Sequence, residues 1–94
     1  MTGPIFEWDR AKAAANYAKH GVSFAFATLA FDDPFAIERV DNRRRYGEER
    51  FILIGMAQDD VLFVAYTERE DRIRLISARR ATRREHDDYV RQIP

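Results

Sequence analysis

The sequence predicts an α+β domain: a short N-terminal strand, two helices, an antiparallel meander of strands and a C-terminal helix. Three observations carry this. An alanine-rich segment near the start, "RAKAAANYAKH", has the composition of a helix. The runs "FAIERV", "RFILIGM", "VLFVAYTE" and "IRLISA" follow it, rich in β-branched and aromatic residues and separated by polar turn residues. A Thr-x-x-Glu pattern, Thr82 and Glu85, then opens the last segment as a capping box opens a helix. Strands joined by short turns pair antiparallel. Helices gathered on one face leave the other free to be polar or to bind something.

Each element has a local cause. Ile5–Trp8 alternates apolar and polar residues and is a candidate edge strand. Asp9 is a good N-cap for the first helix, and Gly21 stands where a C-terminal cap belongs. Ala11, Ala14, Ala15 and Ala18 fall at helical spacing and predict a closely packed face. Ser23 caps a second helix, "FAFATLAF", which Asp32-Asp33-Pro34 ends because a residue before proline resists helical geometry. "DNRRRYGEE" is a polar turn region, "AQDD" a hairpin loop and "EREDR" a tight turn. The last helix runs from Thr82 to about Arg91. Residues 1–94 make one domain, long enough for one modest core.

Composition narrows the function classes. With 46% hydrophobic and 34% charged residues the chain is too apolar to be disordered. The absence of cysteine excludes disulfides, a Cys-type zinc site and a thiol nucleophile, and agrees with the reducing cytoplasm expected as its location. No apolar run approaches the ~20 residues of a membrane span, and "MTGPIFEWDR" lacks the layout of a signal peptide. Net charge is zero but unevenly spread: residues 1–38 hold three bases and five acids, and residues 39–94 hold thirteen and eleven. All but two of the sixteen cations are arginine, the cation suited to bidentate phosphate or carboxylate contacts.

The densest arginine run lies in "RIRLISARRATRREHDDY", where Arg72 to Arg84 include six arginines and no acid. Alternation puts Arg72 and Arg74 on one strand face. Glu68 lies just upstream across a short turn, where it can approach them. That pair reads either as a surface ion pair or as a carboxylate base beside a phosphate-binding guanidinium. Arg79, Arg80, Arg83 and Arg84 cluster at a helix N-terminus, where cations are locally unfavourable and an anion is welcome. They read as a solvated face or an anion clamp. Lys19 and His20 end the first helix, as dipole complements or as proton-transfer groups. Trp8 and Tyr46 can stack on bases or fill core and rim. The two isolated histidines make no metal site, and no Gly-rich phosphate loop or GxSxG is present, so no metal or cofactor is expected.

"FEWDRAKAAANYAKHGVSF", "GEERFILIG" and "YTEREDRIRLISARRATRREHDDY", in this order and spacing, resemble the BrnT family, the toxin half of a type II toxin–antitoxin pair. The resemblance covers roughly residues 6–89. It implies a RelE-like fold and RNA cleavage that stops translation. It also implies neutralisation by a BrnA-like ribbon-helix-helix antitoxin in a heterotetramer built on an antitoxin dimer, with DNA engaged only through the antitoxin. The family's functional residues fall here on Glu68 and Arg74, then Arg79 and Arg80, then Trp8 and Lys19. The expected catalytic set is Glu68, Arg74, Arg79, Lys19 and His20. The expected RNA-binding set is Trp8, Arg50, Arg72, Arg80 and Arg83. The rival expectation is an arginine-rich module that binds nucleic acid or protein without cutting it.

Overall fold

A computed structural model describes residues 3–94. The chain runs β1 (Ile5–Glu7), α1 (Arg10–His20), α2 (Phe24–Ala27), a 3-10 turn (Thr28–Asp32), β2 (Ile37–Val40), β3 (Phe51–Ala57), β4 (Asp60–Arg69), β5 (Arg72–Arg80) and α3 (Arg83–Arg91). The α+β order predicted from sequence is the order observed. The sheet runs β1-β5-β4-β3-β2, antiparallel from β2 to β5, with β1 added to β5 in parallel.

The caps form as their residue types require. Asp9 accepts from the Lys12 amide, and Gly21 sits in the left-handed region at φ 69° with its N–H on the Tyr17 carbonyl. Thr82 and Glu85 close a reciprocal capping box. Both inner hairpins have two-residue turns, Gln58-Asp59 and Glu70-Asp71, with Gln58 and Glu70 at positive φ.

Alternation sorts the core. Leu53, Leu62, Val64, Tyr66, Leu75 and Ala78 face α1, α2 and the 3-10 turn, and bury Val22, Phe24, Ala27 and Ala30 with them. Gly55 is required there, because a Cβ would stand 2.8 Å from the Ala30 carbonyl oxygen. On the other face Ile52, Ile54, Val61 and Phe63 pack around Tyr89 of α3. The Tyr89 hydroxyl donates to Asp33, which also accepts from the Met56 amide at 2.8 Å. Burial and Asp33 together push the Tyr89 hydroxyl up to about 12.

Two expectations are corrected. The second face is not left open: α3 and the segment after β2 cover part of it, so Val61 to Thr67 of β4 are buried on both sides. The alanine face of α1 does not pack either, since Ala11, Ala14, Ala15 and Ala18 are exposed. Asn16 is the buried residue of α1 instead, donating to the Val22 and Ala78 carbonyls and accepting from the Ala78 amide. Spacing favoured the alanines because they are small. The helix turns Asn16 inward because β1 stops opposite Arg74, leaving the backbone of β5 beyond it to be satisfied by a side chain.

Candidate functional site

The second face of the sheet, where α3 does not reach, carries the arginines. Thr67 pairs with Arg74, and Arg74 with Glu7 of β1, so the three side chains lie in one row across the strands. Arg50 precedes Phe51, whose side chain packs on the helix side, so alternation puts Arg50 on this face too. Arg69 and Arg72 are paired one step further along.

A bulge extends the row. Ala65 pairs with Ser77 but Tyr66 with Leu75, leaving Ile76 unpaired. That extra residue shifts the alternation of β5 by one. Arg79 therefore shares a face with Arg74, although strict alternation would separate an odd from an even position. Arg74 and Arg79 stand roughly 16 Å apart along the strand, five residues at ~3.3 Å each. They are suited to separate phosphates of one strand rather than to a single phosphate.

Aromatic rings floor this surface. The Arg79 guanidinium lies 4.0 Å and that of Arg43 5.4 Å from the Phe63 ring centroid, and Arg50 lies 4.1 Å from the Tyr46 ring centroid. Each arginine also meets a carboxylate. Arg43 is bidentate to Asp41 at 2.8 Å through both nitrogens, and Arg79 is bidentate to Glu85 at 2.8 and 3.0 Å. Arg72 and Arg74 each donate one bond to Glu7, at 3.2 and 3.1 Å. Arg50 reaches Glu48 at 3.4 Å. The arginines at the start of α3 thus incur little local penalty, since Glu85 supplies the anion that the helix N-terminus and Arg79 both favour.

Asp41 organises the segment between β2 and β3. It is buried, and it accepts from the Arg43 amide, the Arg43 guanidinium and the Tyr46 hydroxyl. The Arg43 bonds, with help from Tyr46, hold its carboxyl well below the usual carboxylate range against the opposing effect of burial. For Glu85, burial raises the pKa but the Arg79 and Thr82 hydrogen bonds outweigh it, and the net shift is downward. For Asp33, the bonds from Tyr89, Met56 and Phe35 likewise outweigh burial. Carboxyls with folded pKa values below the unfolded ~4 contribute stability that is complete above that value. That stability is lost as pH falls through the folded pKa. Urea unfolding at stepped pH is expected to show stability falling below about pH 4. The fall should be shallower in Asp41→Asn, and an unchanged slope would remove Asp41 as a contributor.

The other expected site residues lie elsewhere. Glu68 is the main correction: it pairs with Ile73 and lies on the helix side, while Arg74 pairs with Thr67 on the opposite face. A two-residue turn pairs Arg69 with Arg72, and parity then separates Glu68 from both arginines. Reading the turn length as two would have shown this from the sequence. Glu68 instead lines a pocket with Glu38, Arg39, Val40, Phe51 and Tyr66, where the Tyr66 hydroxyl donates to Glu38. Trp8 packs edge-on against Phe24 in the helix-side core. Arg80 pairs with Leu62 on the helix side and bonds Asp60. Lys19 and His20 form the last turn of α1, which packs against β5 from that side too. Arg83 is exposed at the first position of α3.

The face therefore gathers Arg50, Arg72, Arg74 and Arg79 of the expected residues. Three that were not expected join them: Glu7, Arg43 and Arg69. The signal for Glu7 was long-range, since it meets the arginines only through a parallel pairing with β5, whereas Arg69 and Arg43 are placed by partners two or three residues away. Chemically the surface offers oriented guanidinium forks over aromatic rings with a carboxylate among them. That set can hold phosphates and move a proton.

No curated protein matches the sequence. Residues 8–85, most of the chain, match the BrnT_toxin family model, described as the ribonuclease toxin, BrnT, of a type II toxin–antitoxin system, and the chain belongs to that family.

Proposed function

We propose that the chain is a metal-independent endoribonuclease that arrests translation, with its RNA lying across the second sheet face. The observation that carries this reading is the cross-strand row of Thr67, Arg74 and Glu7, with Arg72 beside it, Arg79 brought to the same side by the bulge and Arg50 set there by alternation from Phe51. Guanidinium forks held on a sheet can bind phosphates and stabilise the charge that grows on a phosphorane, a role a metal would otherwise serve. Phe63 and Tyr46 support two of those cations, Arg79 and Arg50, and Phe63 also supports Arg43, as a backbone-tracking surface requires.

The antitoxin in this reading is a BrnA-like ribbon-helix-helix protein, assembled with the toxin as a heterotetramer, that covers Arg74 and Arg79 with acidic side chains. One observation favours the rival, a binder that does not cut: Arg43, Arg74 and Arg79 already have carboxylate partners. A phosphate would have to displace the bidentate partners of Arg43 and Arg79 and compete with the single Glu7 bond on Arg74.

The deciding experiment is induced expression in a bacterium with RNA cleavage mapping, followed by cleavage of single-stranded RNA by purified protein in EDTA. Growth arrest with mapped cuts, and cutting in EDTA, is the expected result. RNA binding without cuts would establish the binder, and cutting abolished by EDTA would overturn metal independence.

A further inference from the structure

We propose that Glu7 is the general base of this cleavage, unmasked when a substrate phosphate draws Arg72 and Arg74 away from it; the inference rests on the ribonuclease reading above. Glu7 closes β1, and its parallel register with β5 sets it directly beside Arg74, one step from Arg72. It is held differently from Asp41 and Glu85, and more closely than Glu48, whose contacts to Arg50 and Arg69 are 3.4 and 3.9 Å. Asp41 and Glu85 are each gripped by a bidentate fork and by backbone amides, and the Asp41 side chain is 1% exposed. Glu7 receives one N–H from each of two arginines and is 25% exposed. It also lines an open pocket of about 300 Å³ with Arg69, Glu70 and Arg72, large enough to admit a phosphate group.

The arrangement couples phosphate binding to basicity. In the free protein Arg72, and then Arg74, hold the Glu7 carboxyl below its ordinary range, so it is a weak base. A phosphodiester offers both guanidinia a bidentate partner in place of single bonds. As the arginines turn to it, Glu7 loses the interactions that favour its charged form and becomes more basic next to the bound nucleotide. The 2′-hydroxyl gives its proton to the Glu7 carboxylate while its oxygen bonds to phosphorus. The bond from phosphorus to the 5′-oxygen breaks, and that oxygen takes a proton from water. The hydroxide left behind removes the proton from Glu7. The products are a 2′,3′-cyclic phosphate and a 5′-hydroxyl, with no change of oxidation state.

Glu7→Gln keeps the shape and an acceptor oxygen for the arginines but removes the base. Cleavage of a short single-stranded RNA at saturation is expected to fall by about 100-fold or more. Affinity for the same RNA, by fluorescence anisotropy, should stay within about threefold. The wild-type acidic limb should lie at higher pH for kcat than for kcat/KM, because the first reports the complex and the second the free protein. Glu7→Gln should lack that limb. A Glu7→Gln protein that cleaves within threefold of wild type overturns the proposal. So does one that loses binding and cleavage in parallel, since Glu7 would then only position arginines. Glu7→Asp serves if the glutamine variant does not fold: it should be slower yet keep the acidic limb, and a missing limb overturns the proposal. Wild-type protein that cuts no RNA overturns the ribonuclease reading itself.

Discussion

Arg74→Ala is expected to lower RNA cleavage by about 100-fold or more and to relieve growth arrest on induced expression. Arg74 stands in the middle of the row, with Thr67 on one side and Glu7 on the other. Its side chain is 32% exposed and spends one donor on Glu7, so most of its fork is open to a ligand. At Arg74, β5 lies between β1 and β4, so the backbone that carries the fork is held in place, and a fork engaged on the phosphate stabilises its developing charge. Arg74→Lys restores the charge without the planar fork, so only partial recovery is expected. Salt separates a phosphate contact from a general loss of structure. Removing one contact to single-stranded RNA should reduce the slope of log affinity against log salt by about 0.7. Cleavage within threefold of wild type, with an unchanged salt slope, would remove Arg74 from the site. Arg79→Ala tests a different point, because Arg79 also stacks on Phe63 and satisfies Glu85, so its loss acts on α3 as well as on RNA.

What was legible in the sequence was local. Caps, turn residues and alternation act over three or four positions, so Asp9, Gly21, Ser23, Thr82 and the strand runs marked where the elements begin and end, although the helix expected over "FAFATLAF" tightens into a 3-10 turn after Ala27. The arginine face depends on pairings between residues far apart. Glu7 reaches Arg74 across 67 positions, and no local pattern encodes a parallel strand added to an edge. The bulge at Ile76 is equally hidden, because one unpaired residue leaves the apolar pattern almost unchanged while moving every later side chain of β5 to the other face. Glu68 shows the intermediate case. Its alternation with Tyr66 was right, and only the turn length was needed to part it from Arg74. The basic cluster was thus visible as composition, whereas its division between two faces was a property of register.

Asn16→Ala is expected to destabilise the fold by about 3 kcal/mol, since it strips partners from several buried backbone groups. Beyond β1, β5 would be an edge strand. Asn16 acts there as a strand neighbour, donating to the Ala78 carbonyl at 2.8 Å and accepting from the Ala78 amide at 3.1 Å. A second donated bond, 3.1 Å to the Val22 carbonyl, ties down the segment that leads into α2. Against a typical total of about 5–15 kcal/mol this is a large fraction, equivalent to a midpoint lower by roughly 15 °C in thermal unfolding. Asn16→Leu separates hydrogen bonding from volume, because it fills the space and satisfies nothing; a loss like that of alanine is expected. Asn16→Asp keeps an acceptor for the Ala78 amide but turns a carboxylate toward two carbonyl oxygens. Protonation would restore one donor, so its deficit should shrink as pH falls. Ala14→Ser and Ala15→Ser, on the exposed face of the same helix, should change stability by less than about 0.5 kcal/mol. If Asn16→Ala unfolds within that margin of wild type, the Asn16 bridge does not hold α1 to β5.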